Sequence, residues 1–314
     1  MDVVLLIVGL AGLWLGTEVT IRGAVSVANR FGVSEFIIGV AVLSVGSDLP
    51  ELAIAVDAGL KNLAGGNFSD VVVGSALGSS LGQIGFVLGV AGLMSYLTLP
   101  KKVIFQHGSI LLGSLVLVGL FGYDGKVTAV EGVALIVFYC IYLIALLTDI
   151  RGGGESEEIP GLRLGRSLLY LLIGLVVVVA SAELTVSSAV AVAERFGVSE
   201  AVVAIVLIGM GSSLPELTIS VGAVLRGHTR MSVGNLVGSN VFDTLIPIGV
   251  AAVIAPLRFD EGMLKLELPY LFFVTAVVLV FFVRKRGIQR WEAAFVLALY
   301  CGYVFTKVTG SLFA

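Results

Sequence analysis

Gly46-Ser47-Asp48-Leu49-Pro50-Glu51 interrupts one long apolar stretch, and 165 positions later Gly211-Ser212-Ser213-Leu214-Pro215-Glu216 interrupts another. Each copy sets a helix-breaking Gly and Pro, small hydroxyls and a carboxylate where lipid tolerates none of them without an internal partner. Pro50 cannot donate to a helical ladder and clashes with the turn before it, so a helix should break between Gly46 and Leu49. Glu51 then opens the next half-helix. Its carboxylate, the Ser47 hydroxyl and the carbonyls freed near Ser44 and Ser47 form a set of hard oxygen ligands. The second copy offers Gly209, Ser212, Ser213 and Glu216 around Pro215. Oxygen sets without His or Cys suit Ca²⁺, Na⁺ or Mg²⁺ and argue against Zn²⁺ or Cu²⁺. A packing kink explains one such interruption. Two copies, each with Glu directly after Pro, point to an ion site.

A second pair of segments adds ligands. Gly74-Ser75-Ala76-Leu77-Gly78-Ser79 matches Gly234-Asn235-Leu236-Val237-Gly238-Ser239 at an offset of 160. Ser79 and Gln83 share a helix face four residues apart, as do Ser239 and Asp243. Gly74 with Gly78 and Gly234 with Gly238 are small-xxx-small seams that let helices approach closely. Back-bonding to their own helix accounts for Ser75, Ser80 and Asn240, but the Asp243 charge needs a partner. Glu18 and Glu183 repeat by symmetry outside these segments and rank lower as ion-pathway residues. Asp57 and Asp70 lie near span ends and read as solvated, His107 and His228 as surface histidines, Glu35 and Glu200 as first-turn acids favoured by the helix dipole. Cys140 and Cys301 have no metal-type spacing and read as small buried hydrophobes.

The elements that must position these groups are membrane helices. The chain is 58% hydrophobic and 13% charged with a net charge of -3, too apolar for a soluble core and giving no footing for a nucleic-acid partner. The first span begins almost at Met1 with no basic n-region, so a cleaved leader is not expected. Ten segments are apolar enough for spans of roughly 20 residues: about 3–28, 34–60, 70–97, 103–121, 128–148, 167–193, 199–225, 231–254, 268–283 and 290–309. We expect an all-α polytopic membrane protein with ten transmembrane helices and breaks in helices two and seven. Arg30-Phe31-Gly32-Val33-Ser34-Glu35 recurs as Arg195-Phe196-Gly197-Val198-Ser199-Glu200, so residues 1–148 and 167–314 form two five-helix repeats around a cytoplasmic linker, 149–166. An odd number of spans per repeat inverts the second relative to the first. Thirteen Lys and Arg, Lys101, Lys102, Arg284 and Lys285 among them, fall on one face against six on the other. The richer face is therefore expected to be cytoplasmic, with both termini extracellular.

Paired G-[ST]-S-x-P-E segments, each followed by a G-N-x-x-G-S segment, resemble the α-repeats of the cation/Ca²⁺ exchanger superfamily, and most of all the compact prokaryotic Na⁺/Ca²⁺ exchangers. The resemblance covers essentially the whole chain. It implies that Glu51 and Glu216 are the principal Ca²⁺ ligands, helped by backbone oxygens at Ser47 and Ser212. It implies one Na⁺ site at Ser44, Ser47, Glu51 and Ser79, another at Gly209, Ser212, Glu216 and Ser239, and a middle position at Gln83 and Asp243. Spans one and six resemble the pair that slides across the core to alternate access.

The chain departs from that pattern in three places. Asp48 stands where the family usually has Ser, as Ser213 does in the second repeat; Gln83 stands where Asn is commoner; Ser75 stands opposite Asn235. Four acids would then crowd one centre, and protons compete with metal ions at such a cluster. The expected function is electrogenic exchange of Na⁺ for Ca²⁺ across the plasma membrane by alternating access, with the transported ions and the bilayer as partners, no cofactor, and no requirement for an oligomer. Asp48 keeps open an H⁺/Ca²⁺ or K⁺-dependent antiporter on the same scaffold. A cation channel fits two inverted repeats with a shared buried site less well. No nucleotide loop, phosphorylation motif or catalytic triad supports an enzyme.

Overall fold

The computed structural model describes residues 2–148, 164–195 and 213–313. In chain order the helices are α1 (Asp2–Phe31), α2 (Glu35–Ser47), α3 (Leu49–Leu63), α4 (Ser69–Met94), α5 (Lys101–Phe121), α6 (Ala129–Thr148), α7 (Leu164–Arg195), α8 (Leu214–Leu225), α9 (Thr229–Ile254), α10 (Met263–Lys285) and α11 (Arg290–Phe313). Seven of these are long and apolar enough to cross a membrane, and the bent pair α2–α3 makes an eighth. The protein is an all-α, multi-pass membrane protein. Residues 149–163 of the expected linker, and the stretch preceding Ser213 that holds Gly209 and Ser212, lie outside the described residues.

Four two-residue strands fix the direction of the helices. β1 (Leu97–Thr98) pairs antiparallel with β4 (Gly287–Ile288), and β2 (Lys126–Val127) with β3 (Leu257–Arg258). The two pairs sit at opposite ends of α5, which runs from β1 to β2. Because α4 ends at β1 and α9 ends at β3, these helices run in opposite directions. The turn that joins α3 to α4 therefore lies at the β2–β3 end of the bundle, and the turn that joins α8 to α9 at the β1–β4 end. A reciprocal capping pair starts α6: Thr128 N donates to Glu131 Oε2 at 2.7 Å and Glu131 N to Thr128 Oγ1 at 3.4 Å. Gln289 N donates to Glu292 at 2.8 Å just before α11.

The apolar core divides in two. One cluster joins α2 to α6 with α8 to α11; a second gathers Leu13, Ile21, Leu171, Val178 and Ile219 around the α1–α7 pair. Glycine sets the approach inside that pair. A Cβ on Gly9 would fall 2.4 Å from Thr185 Oγ1, one on Gly16 2.9 Å from Val178 N, and one on Gly23 2.5 Å from Leu171 N. These pairings run antiparallel and lock α1 to α7 along most of their length. At the centre, α9 is buried on nearly every face. Of the two expected small-residue seams, Gly234 and Gly238 do bring α9 against α2, whereas a Cβ on Gly78 would meet nothing within 4 Å among the described residues.

Three expectations are corrected. His107 is buried, with Nδ1 3.0 Å from the Tyr142 hydroxyl and its ring 4.7 Å from that of Phe36; a hydroxyl partner on a neighbouring helix offsets its desolvation. Cys140 and Cys301 are exposed, on helix faces whose other exposed residues are apolar, so they face lipid rather than core. His228 is partly buried and pairs with Glu35 across 2.7 Å, while Asp57 and Asp70 are exposed as expected.

Gly234 gives a direct test of the α2–α9 packing, because a Cβ there would lie 2.3 Å from the Phe36 carbonyl oxygen. Gly234→Val should cost about 1–3 kcal/mol through forced backbone separation. A melt in detergent should show a clearly lower transition; an unchanged one contradicts the packing.

Candidate ion-binding site

The first break is as the sequence predicts. α2 and α3 meet at Asp48 with a bend of 45°, and Pro50 occupies the first turn of α3, where its missing N–H costs least. Asp48 has φ -90° and ψ 5°, and Ser213, its counterpart before α8, has φ -86° and ψ 9°. Leu52 N donates to Asp48 O at 3.2 Å and Leu217 N to Ser213 O at 3.0 Å. Two unlike side chains thus hold one backbone geometry, dictated by the Leu-Pro-Glu that follows each.

Local helix widening accompanies the site. π-turns occupy Gly39–Leu43 in α2 and Gly82–Val87 in α4. Such turns free backbone groups and re-aim side chains, and they recur at functional positions. The second presents Gln83 to the centre.

Asp48, Glu51, Glu216 and Asp243 are all buried, with exposures of 0%, 3%, 0% and 0%. They come from α3 and its preceding junction, from α8 and from α9, so both halves of the chain contribute. They are close enough for like-charge repulsion: Asp48 senses Asp243, Glu216 and Glu51, and Glu51 senses Glu216 and Asp243. Among the described residues, both oxygens of Glu51, both of Glu216, one each of Asp48 and Asp243, and the Ser239 hydroxyl have no hydrogen-bond partner. A carboxylate at membrane depth costs about 2.5–3.5 kcal/mol on insertion scales, more when isolated. Four with so few donors form an acidic cluster that protons or cations must compensate.

A neutral network ties the rest together. Gln83 Nε2 donates to Asp243 Oδ2 at 2.9 Å and to Ser79 Oγ at 3.2 Å, and Gln83 Oε1 accepts from Asn240 Nδ2 at 2.8 Å. The hydroxyls of Ser79 and Ser213 lie 3.3 Å apart. These bonds cross from α4 to α9 and to the cap of α8, so they couple the two halves. At the other break, Ser44 Oγ donates to Val40 O at 2.6 Å, and Ser47 Oγ donates to Ser44 O at 3.2 Å and to Asp48 Oδ1 at 3.4 Å.

The structure therefore gathers Ser44, Ser47, Asp48, Glu51, Ser79, Gln83, Ser213, Glu216, Ser239 and Asp243 in the buried interior. One detail differs from expectation. The Ser44 carbonyl accepts from Asp48 N at 3.0 Å as well as from Ser47 Oγ, so it is not freed; the carbonyl deprived of a helical donor by Pro50 is that of Gly46. Asn240 was set aside as a back-bonding residue. It does bond Leu236 O at 2.9 Å, but its second amide proton orients Gln83, and no spacing rule separates those two uses. Among the described residues no three His, Cys, Asp or Glu groups converge as a metal cluster by themselves, so an ion here needs hydroxyl and carbonyl oxygens too.

Known proteins resemble this chain in sequence and fold. The family model described as "Sodium/calcium exchanger protein" matches residues 1–148 and 166–309. The chain belongs to that family. The family member is 24% identical to the sodium/calcium exchanger MaX1 of Methanosarcina acetivorans over 96% of each chain. It is 31% identical to a membrane protein of Methanocaldococcus jannaschii over 94% of each. A solved structure of the sodium-calcium exchanger NCX_Mj aligns with a TM-score of 0.84 at 28% identity, covering 97% of this chain and 98% of that one. The family is one of exchangers, that is, of transporters.

Gln83 is the hub of the neutral network. Gln83→Leu should strip the donor from Asp243 and leave Asn240 short of an acceptor, at a cost of about 1–3 kcal/mol for each buried group left unpaired. The melting transition in detergent should fall accordingly, and an unaltered transition would show that the network contributes nothing.

Proposed function

We propose that this protein is a secondary antiporter that exchanges Na⁺ for Ca²⁺ across the plasma membrane by alternating access. The observation that carries the proposal is the set of four buried carboxylates, drawn from both halves of the chain, most of whose oxygens lack a donor among the described residues. Family membership and the names of the similar exchangers support Ca²⁺ and Na⁺ as the cargo.

The architecture proposed with it is ten spans in two inverted five-helix repeats, 1–148 and 167–314, joined by a cytoplasmic linker, 149–166, with both termini outside. The strand pairs support the inversion. β1–β4 joins the connection before α5 to the one before α11 at one end of the bundle, and β2–β3 joins the connections after α5 and after α9 at the other. The antiparallel α1–α7 pair supports it as well.

In this reading Glu51 and Glu216 bind Ca²⁺ with backbone oxygens at Ser47 and Ser212. Na⁺ competes at Ser44, Ser47, Glu51 and Ser79, and at Gly209, Ser212, Glu216 and Ser239, with Gln83 and Asp243 between. Competition for shared oxygens makes occupancy by one cargo exclude the other. An empty site would drag uncompensated carboxylates past apolar helices, a cost of several kcal/mol that suppresses leak. Binding energy thereby becomes coupling.

Asp48 motivates the second reading, in which H⁺ or K⁺ joins or replaces Na⁺. It is fully buried, and Ser47 Oγ approaches it at 3.4 Å, so the centre holds one acid more than the repeat symmetry requires.

Purified protein in Ca²⁺-loaded vesicles separates these readings. A Na⁺ gradient alone should drive Ca²⁺ movement, and Glu51→Gln or Glu216→Gln should abolish it. Ca²⁺ movement driven by a pH gradient alone replaces Na⁺ with H⁺. Asp48→Ser should change which ions drive exchange; unchanged ion dependence makes Asp48 a bystander. Saturating Ca²⁺ at a hundredfold its Kd should stabilise the intact protein by about 2.7 kcal/mol, read as a raised melting transition that Glu51→Gln loses.

A further inference from the structure

In the register offset by 165, Glu18 matches Glu183 and Lys61 matches Arg226. Each half thus has an acid in its first long helix and a base at the end of its broken helix. Among the described residues one cross-pair is made. Glu18 accepts from Arg226 Nε at 2.8 Å and also from Nη2. Arg226 lies 5.4 Å from the centre of the Trp14 ring and donates to the Gly222 carbonyl at 2.9 Å. Beneath this pair α1 touches α8 so closely that a Cβ on Gly222 would lie 2.3 Å from Thr17 Cγ2.

The equivalent groups of the other half are apart. Glu183 is exposed and has no ion pair among the described residues, and Lys61 binds Asp57 of its own helix at 2.6 Å. No packing between α7 and α3 matches that between α1 and α8. The C-terminal ends of α3 and α8, which bear Lys61 and Arg226, lie at opposite ends of the bundle, as the strand pairs establish.

We propose that Glu18–Arg226 and Glu183–Lys61 are alternative latches, one at each end of the bundle, and that this structure has the first closed and the second open. The inference rests on the alternating-access reading above. Because their glycine contacts lock α1 and α7 together, the two helices move as one body. A displacement that docks α7 on α3 must lift α1 from α8. The latches are also unequal. Each latch has a competitor within one helix, Arg22 for Glu18 at 2.6 Å and Asp57 for Lys61 at 2.6 Å, but Arg226 presents a planar fork to Glu18 whereas Lys61 offers a single ammonium. Asp57 further occupies the position where, in the other half, Gly222 allows close contact. The closed state seen here is therefore the favoured one in the absence of a gradient.

Two cysteine pairs related by the same offset read the two states in a Cys140→Ala/Cys301→Ala background: Thr17→Cys with Gly222→Cys, and Ala182→Cys with Asp57→Cys. Oxidative cross-linking of monodisperse protein should capture the first pair readily and the second slowly. Glu18→Gln should lower the first rate and raise the second by about fivefold, the span of a partly exposed ion pair, and Glu183→Gln should do the reverse. A single Asp57→Cys, exposed in this structure, supplies a readout without altering Gly222: its labelling by an impermeant maleimide should slow when Glu18→Gln is added. A second pair that never cross-links in protein whose first pair does, or rates and labelling indifferent to Glu18→Gln, overturns the latches. If the latches trade as expected yet no Na⁺ gradient moves Ca²⁺, the latches stand and the antiport reading falls.

Discussion

Four carboxyl groups held together in the apolar interior, with fewer donors than acceptors, are the constraint on which the rest of this structure depends. Like charges in a low-dielectric medium repel strongly, and lipid offers nothing to screen them. The fold contains that repulsion by spreading the acids over α3, α8, α9 and the junction at Asp48, and by bracing one of them, Asp243, with Gln83. The backbone geometry follows from the same need. The bend at Asp48, the π-turn of α4 that holds Gln83, and the glycine contacts between α2 and α9 all accompany the cluster.

Most of the site was legible in the sequence, because its residues are expensive. Gly, Pro and Glu inside apolar runs announce themselves, and their repetition at a fixed offset points to the break at Asp48, the Gly234–Gly238 seam and most of the buried polar residues. Groups whose role depends on a partner from another helix were less visible. Asn240 and Ser80 occupy the same repeat position, yet only Asn240 finds Gln83, and Ser80 keeps a buried hydroxyl with no partner. His107 looked like a surface residue until Tyr142 and Phe36 came to lie against it. For cysteine the error came from equating apolar sequence with core: in a membrane an apolar run can equally face lipid, as it does at Cys140 and Cys301. The match of Lys61 with Arg226 was available from the offset alone, but only the ion pair from Arg226 to Glu18 gives it meaning.

The two halves share a backbone plan and differ in chemistry. Asp48 faces the site where its counterpart is Ser213, and Gln83 where its counterpart is Asp243. Each half therefore has one acid and one neutral group at these positions, in crossed order, so total charge is balanced between the halves while its placement is skewed. Strict symmetry would give an ion identical surroundings on either side of the centre. The crossed pattern gives it two distinct sets of neighbours.

The small strands have a mechanical consequence out of proportion to their length. β1–β4 and β2–β3 staple the connections of α5, α6, α10 and α11 at both ends of the bundle, whereas no described strand ties down α1 or α7. The stapled helices are held against one another at both ends, and in the alternating-access reading proposed above the glycine-locked pair is the part that moves past them. Gly32, at φ 61°, lies in the short turn between α1 and α2, so in that reading the backbone turn that glycine alone adopts easily is also the joint on which the moving pair would swing.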